Sequence, residues 1–360
     1  MTHSYCYRFG KECATIAAVF AMVSGTARGD MSSLGVIGPH SGAGFSNLGA
    51  VTKEAVRTTM TNADVLIELQ GREAVDLRAT CTAVFDFDTD PSPSKAGQTV
   101  LVAFPVTGFG GEAVKITQFE VVIDGVEKPG LQERRIRLYS GDNVQAFYKD
   151  WTPVEANPAT FGYFGFKAYG ENARATDTLL QAYAWTQEFL PGTHCKVQVK
   201  YSMTLHAQSL AYAKKYLHGH SLNIVPFDAM WAGPTDRKAF FLDYILRSGA
   251  TWKGPIGHET VTLRAAPSLG VITPFEHVVT FGRHAFALSE DDLRESVSRF
   301  RAGLDAEGVT SPRFGDASIG GKQPDRIVWE IDHEKPTQDI LVEIPALEVR
   351  ERAPAMKGPR

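Results

Sequence analysis

The chain has 360 residues, of which 43% are hydrophobic and 22% charged. Those fractions match ordinary globular proteins and exclude a collagen-like or largely disordered chain. Lys and Arg number 37 against 41 Asp and Glu, so the basic excess of a nucleic-acid binder is missing and no nucleic-acid partner is expected.

The first residues carry a targeting pattern. Arg8 and Lys11 supply positive charge, opposed by Glu12, and Cys13 to Val23 is an apolar run. Ser24, Gly25, Thr26 and Ala27 are small and follow directly. This reads as a secretory signal peptide over residues 1–27, cleaved near Ala27. The run is about half of what a membrane span requires, so the mature chain is expected to have no membrane span and to be periplasmic or extracellular. Cys6 and Cys13 leave with the signal, while Cys81 and Cys195 remain. In an oxidising compartment those two form one disulfide or stay as separate buried thiols. No CxxC or Cys/His ligand spacing occurs, so neither metal nor other cofactor is expected.

Residues 28–55, rich in Gly and Ser, read as an extended leader. A short strand follows over Ala63 to Leu69, with Val65, Ile67 and Leu69 on one face. From Val75 to Asp88 the odd positions are apolar and the even ones polar except Val84. A period of two at this length means a strand with one buried face. Thr99 to Phe104 is a strand that stops at Pro105, and Ile116 to Ile123 alternates again. Asp124-Gly125 is a hairpin signal. Residues 131–175 show no clear period.

Leu179, Tyr183, Trp185 and Phe189 lead to a Pro191-Gly192 turn, and Cys195 to Leu205 alternates strictly. Residues 207–238 read as an insertion of weak helical character. Strands are expected over Phe240 to Leu246, Thr260 to Leu263, Arg326 to Ile331 and Asp339 to Ile344. One amphipathic helix is predicted over residues 289–306. Ser289 caps it, Leu293, Val297, Phe300 and Leu304 form its apolar stripe, and Gly308 stands beyond its end.

The expected fold is therefore mainly β: two antiparallel β-sandwich-like units with the helix docked on the second. The first unit spans residues 56–175, the second residues 176–350, and residues 351–360 form a frayed tail.

A set of segments resembles a known group. Glu68-Leu69, Leu101 to Pro105, Phe189-Leu-Pro-Gly-Thr leading to Tyr201, Tyr244 to Gly257 around Trp252, and Trp329 followed by Glu334-Lys-Pro336-Thr-Gln-Asp339-Ile340 occur in this order. Together they resemble a family of uncharacterised secreted bacterial proteins with a domain of unknown function. The resemblance spans roughly residues 55–345 and implies a signal peptide followed by β-sandwich units. It implies no activity and no catalytic residue.

Four clusters could carry chemistry. In Thr251 to Glu259, Trp252 could be a stacking platform with Lys253, His258 and Glu259 as polar partners. The alternative is a Gly254-Pro255 turn with Trp252 capping the core. Asp332, His333, Glu334 and Asp339 could hold calcium or form a solvated turn. His218 and His220 could bind a metal or sit in a surface loop. Asp86, Asp88 and Asp90 would repel one another unless a cation intervenes, or else mark an edge strand. No GxSxG, HExxH, P-loop or dinucleotide fingerprint occurs. The functional expectation is an exported, non-enzymatic binding or structural component of the cell envelope, its partner an envelope protein or a glycan. The alternative is a secreted hydrolase acting on glycans through carboxylates in a cleft.

Overall fold

The structure is a computed structural model. It describes residues 28–29, 31–36, 54–72, 76–92, 96–105, 114–139, 152–155, 178–209, 238–246, 248–266, 278–281, 284–287, 314–315, 326–336 and 340–345. Among these residues the protein is mainly β, with strands in three sheets.

The central sheet has eight strands. From one edge they are β17 (Phe314–Gly315), β18 (Arg326–Glu334), β14 (Ile256–Ala265), β3 (Thr58–Arg72), β4 (Asp76–Thr89), β11 (His194–His206), β6 (Val114–Ile123) and β7 (Val126–Glu127). The second sheet has five: β2 (Ser32–Val36), β5 (Gln98–Pro105), β10 (Thr178–Phe189), β8 (Glu133–Tyr139) and β9 (Thr152–Glu155). The third runs β1 (Arg28–Gly29), β13 (Lys238–Ile245), β19 (Ile340–Pro345), β16 (His284–Ala287) and β15 (Val278–Phe281), with β12 (Gln208–Ser209) also on β13.

The alternating sequence pattern dictates which side of the central sheet is buried. Leu77, Ala79, Cys81, Ala83, Phe85 and Phe87 of β4 all point inward and are buried. So do Cys195, Val197, Val199, Tyr201, Met203 and Leu205 of β11. The two strands pair antiparallel with Cys81 opposite Tyr201 and Phe87 opposite Cys195. Slipping either strand by one residue would turn every one of these side chains to solvent, so burial fixes the register.

The five-stranded sheet packs on this inner face. Phe104 of β5 lies 5.4 Å from Tyr201 and 5.5 Å from Phe119 of β6, between ring centroids. Tyr183 of β10 stacks on Phe119 at 3.7 Å. Phe189 of β10 meets Phe87 edge-on at 5.8 Å. Phe240, Leu242, Tyr244, Ile340, Val342 and Ile344 of the third sheet belong to the same buried cluster.

The strand expectations hold for the long alternating segments, with ends moved by a residue or two. The β6–β7 hairpin turns at Asp124-Gly125, both with positive φ (49° and 82°), as an Asp-Gly type I′ turn demands. Three expectations change. The sheets do not divide near residues 170–178, because β4 pairs with β11 and β14 lies parallel to β3. Hydrophobic strands from both halves bury one another in a shared core. The pairing is mixed, with β1–β13, β3–β14, β8–β9 and β16–β19 parallel. Two stretches of the expected leader, Arg28–Gly29 and Ser32–Val36, are strand at the edges of two sheets. The helix predicted over residues 289–306 and the bulk of the 207–238 insertion lie outside the described residues.

Cys81 and Cys195 are both buried free thiols, which overturns the possible disulfide. They sit on adjacent strands, six residues out of register. At roughly 3.3 Å per residue that is about 20 Å, far beyond the reach of an S–S bond. Burial first, then the Asp124 carboxylate, pushes the Cys195 thiol up to about 12, which leaves it unreactive.

Candidate functional site

The four residues of the Trp252 segment separate in space. Trp252 follows a short 3-10 turn over Gly249–Thr251 and is buried. Its ring lies 4.6 Å from Phe87 and 5.6 Å from Phe189, and its indole N–H donates to the Met31 carbonyl at 2.7 Å. It is a core residue between two sheets, not a surface stacking platform. Glu259 is also buried, on the inner face of β14, level with Ala63 of β3 and Ile331 of β18. Lys253 and His258 are exposed: Lys253 pairs with Asp90, and His258 with Asp332.

What the structure assembles instead is the outer face of the central sheet. The even positions that alternate with the core fall into rows across the strands. One row reads Asp332 on β18, His258 on β14, Asn62 on β3, Asp86 on β4 and Lys196 on β11. Asp88 and His194 form the adjoining pair. Neighbours in a row stand about 5 Å apart.

These charges are matched. His194 bridges two carboxylates, with Nδ1 2.9 Å from Asp88 Oδ1 and Nε2 3.2 Å from Asp86 Oδ1. Lys196 Nζ is 3.3 Å from Asp86 Oδ1. Of the aspartates expected to mark an edge strand, Asp86 and Asp88 therefore lie on a central strand, between β3 and β11, and Asp90 follows its end. Cations from the neighbouring strand and from Lys253 relieve their repulsion.

The Asp88 hydrogen bond, with smaller help from the Asp86 and Asp88 charges, raises the His194 pKa above its ordinary value of 6.5, against a smaller opposing effect of burial. A raised folded-state pKa favours the folded state fully below the unfolded value. That contribution fades as pH rises through the folded value. His194 is half exposed, so the effect is small, at most about 1 kcal/mol. Urea midpoints at pH 5.5 and pH 8 should show the native chain losing slightly more stability over this interval than His194→Gln. Equal losses in both would show that the bridge is energetically silent.

His258 has a second geometry of interest. Its Nδ1 is 2.6 Å from Asp332 Oδ1 and its Nε2 3.1 Å from Thr260 Oγ1. An ionised carboxylate only accepts, so Nδ1 donates to Asp332, and in the neutral ring Nε2 accepts from the Thr260 hydroxyl. This is the acid–base–hydroxyl order of a nucleophilic triad. The relay lies on an exposed sheet face, flanked in the Thr260 row by Asp64 and Glu330. The backbone of β14 is paired on both sides, to β3 and β18, so its N–H groups do not converge on a point where an oxyanion could form.

Asp332, His333 and Glu334 occupy the end of β18, whereas Asp339, His218 and His220 lie outside the described residues. Among the described residues no three His, Cys, Asp or Glu converge to hold a metal ion, and no helix is long and apolar enough to cross a membrane. The sequence does carry a signal for the polar row: the even positions of β4 and β11 alternate with the core. Register across strands, which no local pattern supplies, was the missing piece.

No protein-family model matches the chain, and no curated protein matches it. Among solved structures the chain is similar to a candidate nutrient-binding protein from Legionella pneumophila, with 12% identity, a TM-score of 0.41, and coverage of 89% of this chain and 71% of that one. It is also similar to a candidate protease from Parabacteroides distasonis, at 7% identity, a TM-score of 0.26, and coverage of 84% and 38%. An M1 zinc metallopeptidase from Deinococcus radiodurans matches at 7% identity and a TM-score of 0.26, over 85% of this chain and 44% of that one.

Proposed function

We propose that the protein is an exported, non-enzymatic binding or structural component of the cell envelope. The observation that carries the binding half is the outer face of the central sheet, where Asp332, His258, Asn62, Asp86 and Lys196 stand in one row across five strands. A rigid sheet holding matched donors and acceptors in fixed register suits recognition of a polar partner, either an envelope protein or a glycan. The export half rests on the pattern of residues 1–27.

The test is cross-linking of the tagged full-length protein in its native cells, followed by mass spectrometry of what is captured. A reproducible envelope partner should appear, and the double variant Lys196→Gln/His258→Ala, which adds no new negative charge and leaves the His194 bridge to Asp86 and Asp88 in place, should lose it while melting within a few degrees of the native chain. Both residues are exposed, so their replacement costs little stability. Capture unaffected by the double variant would move the binding face elsewhere.

The Asp332–His258–Thr260 relay favours a second reading, a secreted hydrolase. An activated ester such as p-nitrophenyl acetate separates the two. The binding reading expects turnover no faster than that of free imidazole, and no change with Thr260→Ala. Turnover that collapses with Thr260→Ala would make the protein an acyl hydrolase.

A further inference from the structure

We infer that residues 28–36 form an N-terminal strap that closes the sandwich, and that the export signal is removed at the Ala27–Arg28 bond directly upstream of it. The strap rests on geometry alone; the cleavage site rests also on the export reading. The strap passes from one sheet edge to another within nine residues. β1 runs parallel to Tyr244–Ile245 at the edge of the third sheet. Met31 then drops fully into the core, and its carbonyl accepts the Trp252 indole N–H. Ser33, itself buried, donates its backbone N–H to Thr251 Oγ1 at 2.7 Å, and that hydroxyl donates to the Ser248 carbonyl at 2.8 Å. β2 pairs with β5 at the edge of the five-stranded sheet.

The position of the strap bounds the cleavage. A cut beyond Gly29 would delete β1. A cut beyond Met31 would delete a core side chain together with the acceptor of Trp252. Upstream, Gly25 and Ala27 stand third and first before Arg28, with the small side chains that a signal peptidase accepts at those two places. Hydrolysis there adds one water across the peptide bond. The new carboxylate leaves with residues 1–27 and the new amino group stays on Arg28, at the start of β1. Folding then uses the freshly released end as its closing strand.

Two measurements separate the halves. The first is the intact mass of the protein recovered from outside the cytoplasm of a secretion-competent bacterial host, which should give Arg28 as the first residue. A first residue at Ser32 or later overturns the cleavage site and the strap together. A chain found only in the cytoplasm with its N-terminus intact overturns the cleavage and leaves the strap standing.

The second compares chains produced without residues 1–27, starting at Arg28 or at Ser32 after the initiating Met. The Arg28 start should melt with the native chain. The Ser32 start should melt about 10 °C lower, from loss of Met31 burial, of the indole acceptor and of β1. Equal melting of the two overturns the strap. If the Ser32 start is insoluble, Met31→Ala in the full-length chain decides. It should lower the melting temperature by about 5 °C, and an unchanged melt overturns the strap.

Discussion

Trp252→Ala should destabilise the fold by about 3–5 kcal/mol, the range of a buried Trp or Phe truncated in a well-packed core. The ring is 2% exposed and touches Phe87 on the central sheet and Phe189 on the five-stranded sheet. Those rings are held by separate hydrogen-bonded ladders, so neither can move far to refill the space. The truncation also strips the Met31 carbonyl of its buried donor, a loss of about 1–3 kcal/mol within that total. For a protein whose net stability is about 5–15 kcal/mol this is a large share. Trp252→Phe keeps much of the ring packing and removes the donor, so it should cost about 1–3 kcal/mol. Urea unfolding of the native chain and both variants gives the ranking directly. A midpoint for Trp252→Ala equal to the native one would mean that the ring does not seal the two sheets.

The strands were legible in the sequence where one face is buried and the other wet. β4 and β11 alternate over their whole length, and the limits of that alternation agree with the strand ends to within one residue. Alternation in the sequence marks only about half of β3, Ala63 to Leu69. Its outer segments contain Thr58, Thr59, Thr61 and Gln70, whose polarity hides a strand that continues through bulges at Thr61 and Gln70. The sequence alternation marks β14 only over Thr260 to Leu263. Carrying its period two residues back would have put Glu259 on the core face with Val261 and Leu263, and His258 on the wet face. That extension breaks the grouping of Trp252, Lys253, His258 and Glu259 into one surface. Trp252 itself carries no local sign of burial, since its partners Met31, Phe87 and Phe189 are distant in sequence. The pairing of strands from the two halves was illegible for a similar reason: hydrophobic alternation says that a strand has a buried face, not which strand lies beside it.

The same logic explains why the charged row escaped sequence reading. Asp86 and Asp88 are two residues apart and look like a repulsive pair on one face. Their compensation comes from His194 and Lys196, more than a hundred residues later. A central strand tolerates such a pair only because its neighbour supplies the cations in register. The binding face proposed for this protein is therefore a property of β-sheet register, and substitutions that shift β11 against β4 should disturb it as surely as substitutions of the charges themselves.

Gly257→Ala should be destabilising by about 2–3 kcal/mol or more, although it adds only one methyl group. β3 bulges at Thr61, between Met60 and Asn62. That bulge pushes the Thr61 carbonyl against the backbone of β14. A Cβ at position 257 would fall well inside the van der Waals contact distance of the carbonyl oxygen, 3.1 Å from the carbonyl carbon and 3.3 Å from Cα. All three are backbone atoms, so no side chain can rotate away to relieve the clash. Either the bulge must flatten, which would shift the β3–β4 register beyond it, or β14 must lift from β3 at His258 and Glu259. The second route opens the sheet beside the buried Glu259 carboxylate and disrupts the row that contains His258. Gly257→Ala should therefore lower the melting temperature and also weaken partner capture. Gly254→Ala provides the contrast. A Cβ there meets nothing within 4 Å, and its positive φ of 69° makes its cost conformational, about 1–2 kcal/mol. A Gly257→Ala chain that melts with the native one would mean that β14 does not press on the Thr61 bulge, and the proposed binding row would lose the contact that fixes its position.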